Sequence, residues 1–431
     1  MGDGKVAPKV LAALGIVADL IQRTFSRFSI YGRDLPPEFW FLWLGTVVNR
    51  LGGFAVPFLM LYLTGRLGIE PAEAALMVSV LGAGSFASQL TGGEVADRLG
   101  RRPVMLISFF VAPVAMLTLG LARDTWVLVA AMFALGFFMD LYRPAMSAAV
   151  VDLVPAEKRT RAFGYIYWAI NLGAALAPIA AGLLANIDFF LLFVGDAITT
   201  AIFGIIVLTR IPESRPTEAP VVVAPRAHSR LGHVAREPIL LVFSLFALMF
   251  GMIYAQSHVT LPVAMAAGGL PPSDYGLAIA VNGALIVLLT LKAVRYVERW
   301  PRFLGMAIAA LLVGTGFGLT ELADTLPLYA VTVVIWTLGE IIGAAIAPVI
   351  ISEMSPPDMR GLYQGIFGSS WGLAFFLGPA LGGFIYGELG SGVLWAATFA
   401  LGAFLFVGYL LLGVLARRRQ HAVTSQPGIG G

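Results

Sequence analysis

Glu340 stands in an apolar run with no Lys or Arg within four positions on either side. A carboxyl in that setting exchanges a proton, binds a cationic ligand, or pairs with an arginine from elsewhere, and Arg50 and Arg143 are the available partners. Asp140 and Arg143 are three residues apart and share one helix face, so they form either a self-neutralising pair or two charges turned into a cavity. Arg50, Asp196 and His258 are also embedded among apolar residues. A histidine there suits proton sensing, and Asp196 fits either a hydrogen-bonded structural acid or a relay member. Gln256 and Asn282 carry amides that bond a ligand or join helices, and Trp336 offers an aromatic face for an apolar or cationic molecule. Enzymatic chemistry has no foothold. The chain has no G-x-S-x-G elbow, no H-E-x-x-H, no phosphate loop and no cysteine, and its four histidines are scattered. No cofactor, metal or nucleotide-driven pumping is expected.

The elements that must position these groups are apolar helices. Hydrophobic residues make up 58% of the 431 positions and charged residues 12%, against about 45–50% and about 25% in soluble domains, so the class is a membrane protein. Twelve apolar stretches have the length of about 20 residues that crosses the hydrocarbon core. They lie near 40–63, 72–95, 103–122, 126–150, 163–185 and 189–210, then 238–262, 274–294, 303–321, 327–351, 362–386 and 392–416. Arg50, Asp140 and Glu340 fall near the middle of their spans, where each charge costs about 2.5–3.5 kcal/mol if it faces lipid, so they are expected to face a cavity.

Arg50 and Arg143 lie inside spans and Arg66 and Arg123 in one set of loops; all other basic residues sit in the tails, the opposite loops, the central linker or, for Lys292, at a helix end facing them. That bias predicts a multi-pass protein of the plasma (inner) membrane with both termini cytoplasmic. The net charge of +3 forms no basic stripe, so nucleic acid is not an expected partner. The division expected is a cytoplasmic segment at 1–38 with a basic amphipathic helix, a six-helix bundle at 39–210, a Pro-, Glu- and Arg-containing linker at 211–236, a second bundle at 237–416, and a cytoplasmic tail at 417–431.

The two bundles repeat each other at an offset of 201 residues. Asp152, Pro155, Arg159, Gly164, Pro178 and Gly182 align with Glu353, Pro356, Arg360, Gly365, Pro379 and Gly383. Asp97, Arg98 and Arg101 align with Glu298, Arg299 and Arg302, and Gly68-x-x-Pro71 with Gly269-x-x-Pro272. Parallel repeats in a membrane protein give two similar bundles facing each other across a pathway, with the working site between them.

Between the second and third spans stands Gly93-Glu94-Val95-Ala96-Asp97-Arg98-Leu99-Gly100-Arg101-Arg102. It resembles the G-x-x-x-D-R-x-G-R-R signature of the major facilitator superfamily. Gly173-Ala174-Ala175-Leu176-Ala177-Pro178 with Gly182, and more closely Gly378-Pro379-Ala380-Leu381-Gly382-Gly383, resemble that family's antiporter motif. The resemblance implies an all-α fold of twelve transmembrane helices in two pseudo-symmetric bundles, and a central cavity lined by helices one, four, seven and ten, the helices carrying Arg50, Asp140, Arg143, His258 and Glu340. It implies that Asp97 stabilises the outward-facing closure, that the motif arginines pair with Asp152, and that Glu353 sits likewise near Arg299 and Arg302, making these residues a conformational gate. The expected function is proton-coupled export of small amphipathic, apolar or cationic molecules by a chain acting as a monomer among membrane lipids. Uncoupled facilitation, lipid-type transport and a transport-dead sensor or scaffold are the alternatives. The chain departs from the family's drug exporters at Met132, where many have an arginine in helix four.

Overall fold

The computed structural model describes residues 35–214, 237–297, 299–355 and 360–424. The amphipathic helix expected before residue 35, most of the linker, Glu298 and the end of the tail lie outside the described residues. Among the described residues, twelve helices are long and apolar enough to cross a membrane. In the first half they are α1 (Pro37–Arg66), α2 (Pro71–Leu99), α3 (Arg101–Leu121), α4 (Thr125–Leu153), α5 (Arg159–Ile187) and α6 (Phe190–Arg210). In the second they are α7 (Pro238–Ala267), α8 (Pro272–Val297), α9 (Arg302–Gly318), α10 (Leu326–Met354), α11 (Arg360–Phe384) and α12 (Ser391–Thr424).

The repeat in the sequence is a repeat in space. Within the first half α1 packs on α5 and α6, α3 on α4 and α6, and α2 on α4. The second half reproduces each pair: α7 on α11 and α12, α9 on α10 and α12, α8 on α10. The halves meet where α2 lies against α11 and α5 against α8, again a repeat-related pair. Gly68 and Gly269 both have positive φ, +69° and +80°, a conformation open to glycine without steric cost, and each precedes a proline that begins the next helix. Arg101 pairs with Asp152 at 3.3 Å, and Arg302 with Glu353 at 3.6 Å, at the same repeat offset.

α1 and α7 are both interrupted. Regular helix in α1 stops at Leu51 and resumes as a tight turn at Val56–Phe58, a short α-helical piece at Leu59–Leu61 and a wide π-helical turn at Tyr62–Arg66. In α7 it stops at Ala255 and resumes at Thr260. The distal pieces close the end of the molecule away from the linker. Phe58 and Leu61 of α1 join the second half's core beside Leu261, Met265 and Tyr275, while Val259 and Val263 of α7 join a core built from the first half. At the linker end, the first half's core contains first-half residues alone. The bundles therefore touch through apolar packing at the far end, burying surface that neither half could cover by itself.

Candidate functional site

The motif loop shows how local sequence builds a charged cluster. α2 must reverse into α3 within one residue, and Gly100 does so at φ +104°. Glu213, where the chain leaves α6, accepts hydrogen bonds from the amides of Arg101 and Arg102 at 3.0 and 3.2 Å, capping the exposed N–H groups of α3 with a negative charge. A side chain at Gly100 would meet that carboxylate at 2.5 Å, so the glycine serves both the turn and the cap. Arg102 donates to the Leu208 carbonyl at 2.6 Å, and Ser214 donates to Asp152 at 3.3 Å. Glu213 carries no motif signature and was not legible as part of this cluster. Arg98 pairs with Glu94 on the exposed face of α2 at 2.5 Å, and Arg299 is exposed in the turn before α9. Gly93 has open space around it, and of Asp97 only the backbone is described.

The glycine–proline segments are contact points. Gly182 of α5 approaches Ser273 of α8, and its repeat partner Gly383 of α11 approaches Ala75 of α2, where a Cβ would come within 2.9 and 2.0 Å. Both allow close helix approach between the halves. The carbonyl of Pro178 lies against Gly276. Gly378, beside Pro379, offers its carbonyl to the Gln256 amide at 3.0 Å, and Gly382 makes room for the same side chain. Gln256 also donates to Met252 and accepts from Thr260, so it joins α7 to α11 and is fully engaged within the protein.

The intramembrane charges fall into two groups. In the first half, Asp140 accepts a hydrogen bond from the Ser85 hydroxyl of α2 and pairs with Arg143 at 2.6 Å. Asp140 is buried and Arg143 is half exposed. Arg50 ends the regular part of α1, donates to the Tyr142 hydroxyl at 2.7 Å, and has Gly173 of α5 packed on its Cβ. Asp196 accepts from the Ala55 amide at 3.2 Å and the Thr200 hydroxyl at 3.4 Å.

In the second half, Glu340 accepts from the Asn282 amide at 2.6 Å and from the Tyr254 hydroxyl. Asn282 also donates to Thr337 at 3.0 Å, which fixes its orientation. Glu340 opens on a cavity of about 190 Å³ between α5, α8 and α10, lined also by Tyr167, Ile286, Thr290, Ile341, Ala344 and Ala345. Tyr167 is the first half's contribution to that lining. His258 lies buried in the interruption of α7, its ring edge-on to Tyr254 at 6.2 Å and its Nδ1 without a partner. Trp336 is buried between Phe317 and Tyr254 and does not line the cavity. Tyr254, Tyr142, Ser85 and Tyr167 were missed from sequence, although a hydroxyl in an apolar helix signals a need for a partner. Among the described residues, no group of three His, Asp or Glu has the spacing of a metal site.

Two repeated six-helix bundles, meeting over a cavity that holds a half-buried acid, give the architecture of a multi-pass membrane transporter. A profile of the Major Facilitator Superfamily matches residues 42–263 and 255–429, and the chain belongs to that family. The uncharacterized MFS-type transporter YqjV of Bacillus subtilis is 23% identical over 84% of this chain and 89% of its own. Multidrug resistance protein MdtH of Cronobacter sakazakii is 27% identical over 80% and 86%. A Na(+), Li(+), K(+)/H(+) antiporter of Planococcus maritimus is 22% identical over 71% and 79%. Among solved structures, the nucleoside transporter NupG superposes with a TM-score of 0.76 at 14% identity, covering 87% of this chain and 99% of that one. A POT family transporter gives 0.73 at 17%, covering 89% and 96%. At these identities the structures establish the fold alone.

Proposed function

We propose that this transporter is a proton-coupled antiporter that exports amphipathic, apolar or cationic small molecules. The observation that carries the reading is Glu340, a carboxyl in a cavity between the halves whose hydrogen-bond partners are an amide and a phenol rather than a cation. An acid so placed can hold a proton or a cationic substrate but not both, and such exclusion is what exchange requires. Asp140 is a weaker coupling candidate because Arg143 already neutralises it. The apolar lining from Ile286, Ile341, Ala344 and Ala345, with the Tyr167 ring opposite, suits a lipophilic body attached to a positive charge. The relative named as a Na(+), Li(+), K(+)/H(+) antiporter supports exchange as the mode, and the one named as a multidrug resistance protein supports drug-like substrates. The basic residues at the linker end support a plasma-membrane orientation with both termini cytoplasmic. In that orientation the structure is closed toward the outside. The arginine–acid pairs Arg101–Asp152 and Arg302–Glu353 stand at the cytoplasmic mouth, where they act as gate residues together with Asp97.

The test uses purified protein in liposomes with an imposed pH gradient and a panel of lipophilic cations and neutral analogues. Substrate movement that follows the gradient, with proton flux dependent on substrate, supports the reading. Substrate equilibration indifferent to pH makes the protein a facilitator, and binding of a protein partner without any transport makes it a sensor.

A further inference from the structure

The interruption of α1 is held from outside by α6. Where the helix breaks, backbone amides lose their internal partners, and in hydrocarbon no water replaces them. The Ala55 amide donates to Asp196 Oδ2 at 3.2 Å, while the Phe54 amide turns back to the Gly52 carbonyl at 2.8 Å. The Thr200 hydroxyl donates to Asp196 Oδ1, and Asn49 donates to Thr200 at 2.8 Å. Thr199 packs so closely on Gly52 that a Cβ there would lie 1.9 Å from its hydroxyl, and the Phe54 ring rests on Gly195. One stretch of α6, from Gly195 to Thr200, thus forms a cradle around residues 49–55. Beyond the cradle, the distal piece of α1 carries Phe58, whose ring meets Tyr275 of the second half edge-on at 5.2 Å, and Leu61, which enters the second half's core.

We infer that Asp196 is a positioning residue for the far seal: by accepting the freed Ala55 amide of α1 it fixes where the distal piece of that helix lies, and so sets how readily the far mouth opens. A carboxylate suits the task because every group that faces it from α1 and from its own helix is a donor. The arrangement is one-sided. The repeat position of Asp196 is Ala397, and in α7 the Thr260 and Leu261 amides return to the Gln256 carbonyl of the same helix, while the Gln256 side chain bonds Met252, Thr260 and the Gly378 carbonyl of α11. Of the two helices that form the seal, α1 is therefore the one whose freed backbone amide is taken up by a neighbour's side chain. This role concerns alternating access itself and does not depend on proton coupling.

The native chain has no cysteine, so spin labels can be placed singly. Arg66→Cys and Ala267→Cys put labels on exposed, repeat-related ends of α1 and α7 across the far mouth. Ala267→Cys with Leu322→Cys gives a control pair within the second half. In nanodiscs, pulsed electron–electron distance measurements should show the Asp196→Ala background moving the cross-mouth pair to longer distances, with the open population rising about five- to thirtyfold. Asp196→Asn, which keeps one acceptor oxygen, should fall between parent and alanine, and the control pair should stay put in both. Should the alanine variant fail to fold, the asparagine variant alone decides. The inference is overturned if the cross-mouth distribution in the foldable variants matches the parent, or if the control pair broadens to the same extent.

Discussion

α4 and α10 occupy the same place in the two halves and meet the same neighbours, yet they present opposite surfaces. Ser85, Asp140 and Arg143 of the first half correspond by the repeat to Ile286, Ile341 and Ala344 of the second. In the first half these positions form a hydroxyl–acid–arginine contact, and in the second they form the apolar lining of the cavity. The second half's acid, Glu340, sits one residue out of register, opposite Met139, and is answered by Asn282 where the first half has Leu81. Duplication preserved the backbone plan because packing between helices depends on small residues and prolines at fixed spacing. The polar groups diverged because a cavity needs only a few of them, and a charge is tolerated wherever it finds a partner. At these positions the first half pairs its acid with an arginine, while the second half's acid has neutral partners and opens on the cavity.

The sharpest way to break that contrast is Glu340→Gln. Gradient-driven substrate uptake into liposomes is expected to fall to the level of empty vesicles, with expression and counterflow retained, whereas Asp140→Asn should keep a measurable fraction. The reverse ranking would move the working acid to the first half. Next in size is a transplant of the pair. Ile341→Asp places a charge in an apolar lining, and thermal denaturation in detergent should show a loss on the order of 2.5–3.5 kcal/mol; adding Ala344→Arg, which recreates the spacing of Asp140 and Arg143, should recover more than half of it. No recovery would mean that Ser85, not the arginine, makes the first-half acid tolerable.

Smaller effects are expected at the crossing of α1 with α5 and of α7 with α11. A Cβ added at Gly173 would meet the Arg50 Cβ at 2.4 Å, and one at the repeat position of Arg50, Gly251, would meet the Ala374 Cβ at 2.7 Å. Each glycine→Ala change should cost about 1–3 kcal/mol of thermal stability through overpacking. Gly173→Ala should also reduce transport, because it displaces Arg50 from Tyr142. Equal transport in both variants would show that Arg50 is not needed where it stands. The least effect belongs to the mouth pairs. Arg101→Gln and Arg302→Gln remove partly exposed ion pairs and should each change stability by about 0–1 kcal/mol. Single-cysteine labelling at the two mouths should shift more for Arg101→Gln, since Arg101 also lies under the Glu213 cap and the second half has Pro301 in place of Gly100.

The span of each helix, the duplication, the motif turn at Gly100 and the set of intramembrane charges were determined by the sequence alone. Apolar length, glycine and proline spacing, and the expense of a charge in lipid are properties of a local stretch of chain. The tertiary structure decided which charges meet. Asp140 turned to Arg143 and Ser85, Glu340 to Asn282 and Tyr254, and Asp196 to the broken backbone of α1, because those contacts depend on which residues of distant helices share a level in the bundle. Trp336 and Gln256 read from their types as ligand groups or, more commonly for such residues, as packing, and their neighbours assign them to the interior. The interruptions of α1 and α7 were likewise invisible in hydropathy, which sees an unbroken apolar run. The Ala55 amide freed by the break of α1 is taken up by Asp196, which lies more than a hundred residues away along the chain.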